Sequence, residues 1–130
     1  MYSELIRNIP GSSNWVGSFY ERLIEYGEWD SSAFWELHLD LLNIAKQQVM
    51  NEPVERELVY MLLKLQQNVL NLICAHFAEE DVFEICNINN EQLYEFSERF
   101  KMAILAAISG EILPESSFDL TNPLIAKPNK

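Results

Sequence analysis

The side chains that could do chemistry are few. His76 is followed by Glu79 and Glu80, an imidazole with carboxylates at i+3 and i+4, so all three share one face of any helix that carries them. Metal sites in helical bundles need more, a Glu-x-x-His on each of two helices with further carboxylates, and no Glu precedes either histidine by three residues. His38 stands between Glu36 and Asp40, at i ± 2, where neighbours on a helix face apart. Cys74 and Cys86 are the only cysteines. They form no CxxC and have no zinc-like spacing to histidine, so the reading is two buried thiols without metal or disulfide. No nucleophile elbow, Walker loop or dinucleotide-binding glycine run occurs. These patterns exclude recognisable catalysis: the expectation is a non-enzyme without metal or cofactor, and a small metal or thiol enzyme is the weakest rival.

Carboxylates dominate what remains. Twenty Asp and Glu against nine Lys and Arg give a net charge of −11, a field that repels nucleic acid and anionic membranes and draws in basic partners. The acids are also clustered. Between Lys64 and Arg99 there is no basic residue, while Glu79, Glu80, Asp81, Glu84, Glu91, Glu95 and Glu98 fall in that interval. Leu23 to Ala45 likewise lacks Lys and Arg and carries Glu25, Glu28, Asp30, Glu36 and Asp40. Glu91, Glu95 and Glu98 repeat at i, i+4 and i+7, as do Glu21, Glu25 and Glu28. Each like-charged pair at that spacing costs a helix about 0.2–0.5 kcal/mol, a cost that alternating signs would avoid. The candidate binding surface is therefore Glu25, Glu28, Asp30, Glu79, Glu80, Asp81, Glu84, Glu91, Glu95 and Glu98, with Trp29 in the Gly27–Asp30 turn either an aromatic interface anchor or, the favoured alternative, a turn residue covering the core. Arg99 is placed as a partner for Glu95.

Helices must position these groups. With 130 residues, 48% of them hydrophobic, the chain reads as one domain able to bury a core unaided. Residues 1–12 read as a lead-in. Ser12 or Ser13 then caps a first helix whose stripe is Trp15, Phe19, Leu23 and Tyr26, with Gly17 inside it and Gly27 as its stop. Asp30 caps a second, with Phe34, Leu37, Leu41 and Ile44 facing the core. Pro53 opens a third, the longest and the expected centre of the bundle, running to His76, whose ring would cap its last carbonyls. A short irregular or one-turn segment around Asp81–Phe83 leads to Asn89-Asn90, which can cap a fourth main helix ending at Gly110. Residues 111–130 contain Pro114, Pro123 and Pro128, yet carry enough apolar side chains to strap across the bundle as far as Ile125. The expected fold is an all-α, compact, single-domain bundle of about five or six helices with an irregular C-terminal strap. No uninterrupted apolar run reaches the ~20 residues of a membrane span, and Glu4 interrupts any leader-like apolar stretch, so the expected location is the cytoplasm.

Taken together, Asn14-Trp15-Val16-Gly17-Ser18-Phe19, Gly27-Glu28-Trp29-Asp30, the run Phe34 to Leu41, His76-Phe77 and Asp81-Val82-Phe83-Glu84-Ile85 resemble the small helical immunity proteins of bacterial contact-dependent growth inhibition and polymorphic-toxin systems. The likeness covers most of Asn14–Ile85 and loosens toward Gly110. It implies an antidote that binds one cognate toxin domain and occludes its active site. Such toxins are often nucleases, an EndoU-like RNase among the options. A nuclease cleft is positively charged, so an acidic surface suits it. The resemblance carries no toxin-contacting residues across. The rival function is an acidic helical adaptor, or a nucleic-acid mimic, acting on a basic protein that is not a toxin.

Overall fold

The computed structural model describes residues 2–125. Five α-helices follow one another: α1 (Ser3–Arg7), α2 (Phe19–Tyr26), α3 (Ser31–Lys46), α4 (Arg56–Phe77) and α5 (Asn90–Ser109). A single 3-10 turn (Glu115–Ser117) lies beyond them, and the described residues include no strand. The fold is all-helical.

Capping chemistry sets most of the boundaries. Asp30 accepts from the Ala33 N–H at 3.0 Å and starts α3. Asn89 and Gln92 form a reciprocal capping box at α5, whose last carbonyls are met by Gly110 in the left-handed region, φ 82°. Gly27 closes α2 in the same way at φ 63°.

Three boundaries differ from the sequence reading. The supposed lead-in contains α1, and Leu5 and Asn8 are buried. Five residues are too few to hold a helix alone; this one is held from outside, because the Asp40 carboxylate accepts the Leu5 N–H at 3.0 Å and Asn8 Oδ1 accepts the Tyr20 N–H at 2.7 Å. Helix α2 begins at Phe19, not near Ser12 or Ser13. Gly17 is not helical, its φ of 86° turns the chain, and the Ser18 hydroxyl caps α2 by accepting the Glu21 N–H. Trp15 thus shares the helical spacing but not the helix. Pro53 stands in the preceding loop, and α4 begins at Arg56.

The core is an aromatic box. Trp29 meets Phe19 edge-on at 4.8 Å and lies 5.3 Å from Phe96, while Phe34 and Phe96 meet at 5.0 Å. These contacts tie α2, the 27–30 turn, α3 and α5 together. The most extensive helix contact is between α3 and α5, so this pair, rather than α4, is the centre. Helix α4 is long and apolar enough by composition to cross a membrane. In the bundle it buries Leu58, Leu62, Leu65, Val69 and Ile73 as one stripe and leaves Tyr60, Leu63 and Phe77 exposed.

Candidate functional site: an acidic pole

Two loops far apart in sequence are stitched together at one end of the bundle. The Cys86 N–H donates to the Gly27 carbonyl at 2.9 Å. The Asn87 side chain takes both polar atoms of the Trp29 backbone, accepting its N–H at 2.8 Å and donating to its carbonyl at 2.9 Å. Gly27 is needed for this approach: a Cβ there would run into the Glu84 carbonyl oxygen. His76 fixes the other side. Its Nδ1 accepts from the Ile85 N–H at 3.0 Å, so its proton sits on Nε2, which donates to Asn90 Oδ1 at 2.9 Å. The imidazole therefore bridges the end of α4, the 78–89 link and the start of α5, rather than capping its own helix's carbonyls.

This stitching gathers acids. Glu79, Asp81 and Glu84 line one shallow recess with His76 and Asn90. Glu80 lies within the same turn, Glu91 opens α5, and Glu25 and Glu28 flank the Gly27 turn that the link is bonded to. Glu25, Glu79, Glu80, Asp81, Glu84 and Glu91 are exposed and form no ion pair among the described residues. Among the described residues the basic side chains at the helix ends lie away from this end. Lys46 ends α3, roughly 24 Å of helix from the pole where α3 starts, and Arg56 begins α4 at the end opposite His76. Among the described residues, Arg22 is the basic group that pairs with acids here, 3.2 Å from Glu28 and 3.6 Å from Asp30.

Several candidates from the sequence prove to have other roles. Trp29 is 2% exposed and is a centrepiece of the core, not a surface anchor. Asp30 is occupied as a helix cap and by Arg22. Glu21 does not continue a ridge with Glu25 and Glu28: it is buried and accepts the Gly17 N–H at 3.1 Å. Glu95 and Glu98 are half-buried in a groove beside the strap, and Glu98 pairs with Lys101 at 2.9 Å. Both cysteines are exposed, contrary to the buried thiols expected. The apolar groups that the pole does present are Tyr26, Phe77 and Val82, the last 99% exposed.

A second polar cluster went unread in the sequence. Arg99, 2% exposed, pairs through Nη2 with Glu115 at 2.6 Å, not with Glu95, and its guanidinium stacks 3.9 Å from the Phe118 ring. Asn122 Nδ2 donates to His38 Nδ1 at 2.9 Å, oriented by its own Oδ1, which accepts from the Leu124 N–H. The other ring nitrogen, Nε2, lies 3.3 Å from Arg99 Nη2, which can also only donate, so a neutral His38 ring accepts from one of these two partners at a time. Burial, and then the neighbouring Arg99 charge, push His38 down to about 4 against a weaker upward pull from Glu115. Burial alone would raise the Glu115 carboxyl, but the Asn122 N–H and the Arg99 guanidinium outweigh it and hold it below its ordinary value. This neutral-imidazole cluster latches the strap to α3 and α5. Its signal in the sequence was positional: His38 follows Phe34 by four residues and Arg99 follows Phe96 by three, so both fall on core stripes.

Among the described residues no three His, Cys, Asp or Glu side chains are placed to hold a metal ion. The acidic pole gathers its carboxylates around one shallow recess, with apolar side chains beside it. No family model, no curated protein and no solved structure matches the chain.

Proposed function

We propose that this protein is a binding inhibitor whose acidic pole docks over the positively charged groove of a partner protein, in the manner of an immunity protein neutralising a cognate secreted nuclease toxin in the cytoplasm. The single observation that carries the reading is the assembly of six exposed carboxylates, unpaired among the described residues, from α2, the 78–89 link and α5 onto one hydrogen-bonded end of the molecule. A groove that holds phosphates must be cationic, and fixed carboxylates compete for it. The toxin and nuclease parts of this reading rest on the sequence resemblance alone.

Exposed acids give steering and partner choice more than affinity. Tyr26, Phe77 and Val82 supply apolar area at the same end, the kind of group that carries binding energy once it is dehydrated. A standard interface of about 1,600 Å² in total would cover the pole.

The test is co-expression with a toxin domain encoded beside this reading frame, scored as growth. The wild type should rescue growth. Glu79→Gln/Glu80→Gln/Asp81→Asn/Glu84→Gln, equally stable because all four acids are exposed, should not. Equal rescue by both would refute the pole. Absence of any neighbouring toxin, with salt-dependent binding to another basic protein, would favour the adaptor.

A further inference from the structure

Helix α4 carries a second stripe, on the face turned away from the core. Tyr60, Leu63, Gln67, Leu70, Cys74 and Phe77 follow one another at intervals of 3, 4, 3, 4 and 3 residues, so they form one seam along the helix. Tyr60 is 61% exposed, Leu63 43% and Phe77 52%. Gln67 and Cys74 are exposed as well, and Leu70 is half-buried. Burying the inner stripe leaves the outer face free to be polar. An apolar outer face with alternating steps of three and four is instead the pattern that keeps one helix against another.

This seam complements itself when two copies run antiparallel. Antiparallel pairing sets Tyr60, Gln67 and Cys74, one set of seam positions, against Leu63, Leu70 and Phe77, the other. With a two-fold axis at the level of Asn68 and Val69, Tyr60 meets the second copy's Phe77, Leu63 its Cys74 and Gln67 its Leu70. Every seam residue then has an opposite number. The two Gln67 amides flank the axis, and a polar residue at one layer fixes the register of such a seam.

Charge favours the same direction. Arg56, exposed, extends the seam by one more step. In the antiparallel pair it comes against the second copy's Glu79–Asp81 turn, whose acids form no ion pair among the described residues. Its neighbours Glu55 and Glu57 are turned about 100° to either side. A parallel pair would bring the two acidic turns together, and the two Arg56 side chains together, each a like-charge contact.

We infer that the outer face of α4 is a self-association surface, through which two copies of this chain pair antiparallel about an axis beside Gln67. Tyr60 and Phe77 each have roughly 100 Å² of ring left to bury. One helix face per copy gives an interface below about 1,200 Å², the size of a reversible dimer. The acidic poles then lie at opposite ends of the pair. Phe77 belongs to both seam and pole, so the second copy and a docked partner share it. Leu63 belongs to the seam alone, roughly 21 Å of helix from Phe77, and its substitution separates the two roles.

Sedimentation velocity at about 500 µM protein, in about 0.3 M salt to screen the −11 charge on each copy, should show the wild type as a dimer. Leu63→Glu, at an exposed position, should associate at least tenfold more weakly and keep the wild-type helical circular dichroism. Oxidation in a Cys86→Ser background reads the direction. Leu63→Cys should link residue 63 of one copy to Cys74 of the other. Cys74 alone should form no link, because it lies about 16 Å of helix from its counterpart. The inference is overturned if the wild type stays monomeric at this concentration, or if Leu63→Glu, still folded, dimerises undiminished. It is equally overturned if oxidation joins Cys74 to Cys74, the mark of a parallel pair, or if Leu63→Cys yields no link between residues 63 and 74.

Discussion

Asn87 holds Trp29 by both backbone polar atoms, at 2.8 and 2.9 Å, across 58 residues of sequence. One side chain thereby joins the link after α4 to the turn before α3, and places Trp29 in the aromatic box while the surrounding acids face outward. The core and the proposed binding pole share this fastening.

Removing it should cost both. Asn87→Ala leaves the Trp29 N–H and carbonyl without partners, an expected loss of about 1–3 kcal/mol. Urea unfolding would measure it, and amide exchange should quicken in residues 27–30 and 84–87 ahead of the helices.

Gly27→Ala should be worse tolerated than an ordinary helix-end change. The residue sits at φ 63°, and the added methyl would run into the Glu84 carbonyl. Left-handed strain costs on the order of 1 kcal/mol before the link is displaced. Thermal denaturation should show a drop clearly larger than that of Gly11→Ala, whose Cβ would meet nothing.

Acid should loosen the strap. His38 is held at about 4, below the 6.5 of a free imidazole. The unfolded chain thus binds an extra proton between those values, so stability rises with pH across that window and is lost as pH falls from about 6.5 to 4. The full loss across the window is about 3 kcal/mol for one such histidine, and the slope vanishes outside it, where both states carry the same protonation. Unfolding midpoints measured from pH 4 to 7 for wild type and His38→Gln should converge at low pH, the variant having lost this part of the slope.

Arg99→Met should free the strap by a different route. It leaves Glu115 without its charge partner and Phe118 without its stack, an expected destabilisation of about 2–4 kcal/mol. Limited proteolysis should then cut first between residues 111 and 125. Adding Glu115→Gln should restore part of the loss, because the stranded carboxylate disappears with its partner.

The legible parts of this fold were those written in local chemistry. Asp30, Asn89 and Gly110 announce helix ends because caps act within three or four residues, and the apolar stripes of α3 and α5 repeat at the helical period. Trp15 misled because spacing counts residues and not dihedrals: Gly17 breaks the helix that Trp15 would have joined. Helix α1 was illegible because its support comes from Asp40, 35 residues away. The charge intervals drew the eye to Glu79–Glu84, yet they could not reveal that Glu21 and Glu98 are locally satisfied, nor that Trp29 is buried. The His38–Arg99–Asn122 cluster spans separations of 61 and 84 residues, a distance over which no periodic pattern speaks.

The most direct test of the pole is the rate at which a cognate basic toxin domain associates with the protein as salt is raised from 50 to 500 mM. The account predicts fast association that falls at least tenfold over this range, with the wild type approaching the rate of the Glu79→Gln/Glu80→Gln/Asp81→Asn/Glu84→Gln variant at high salt. A wild-type rate indifferent to salt, and equal to that of the variant throughout, would contradict it.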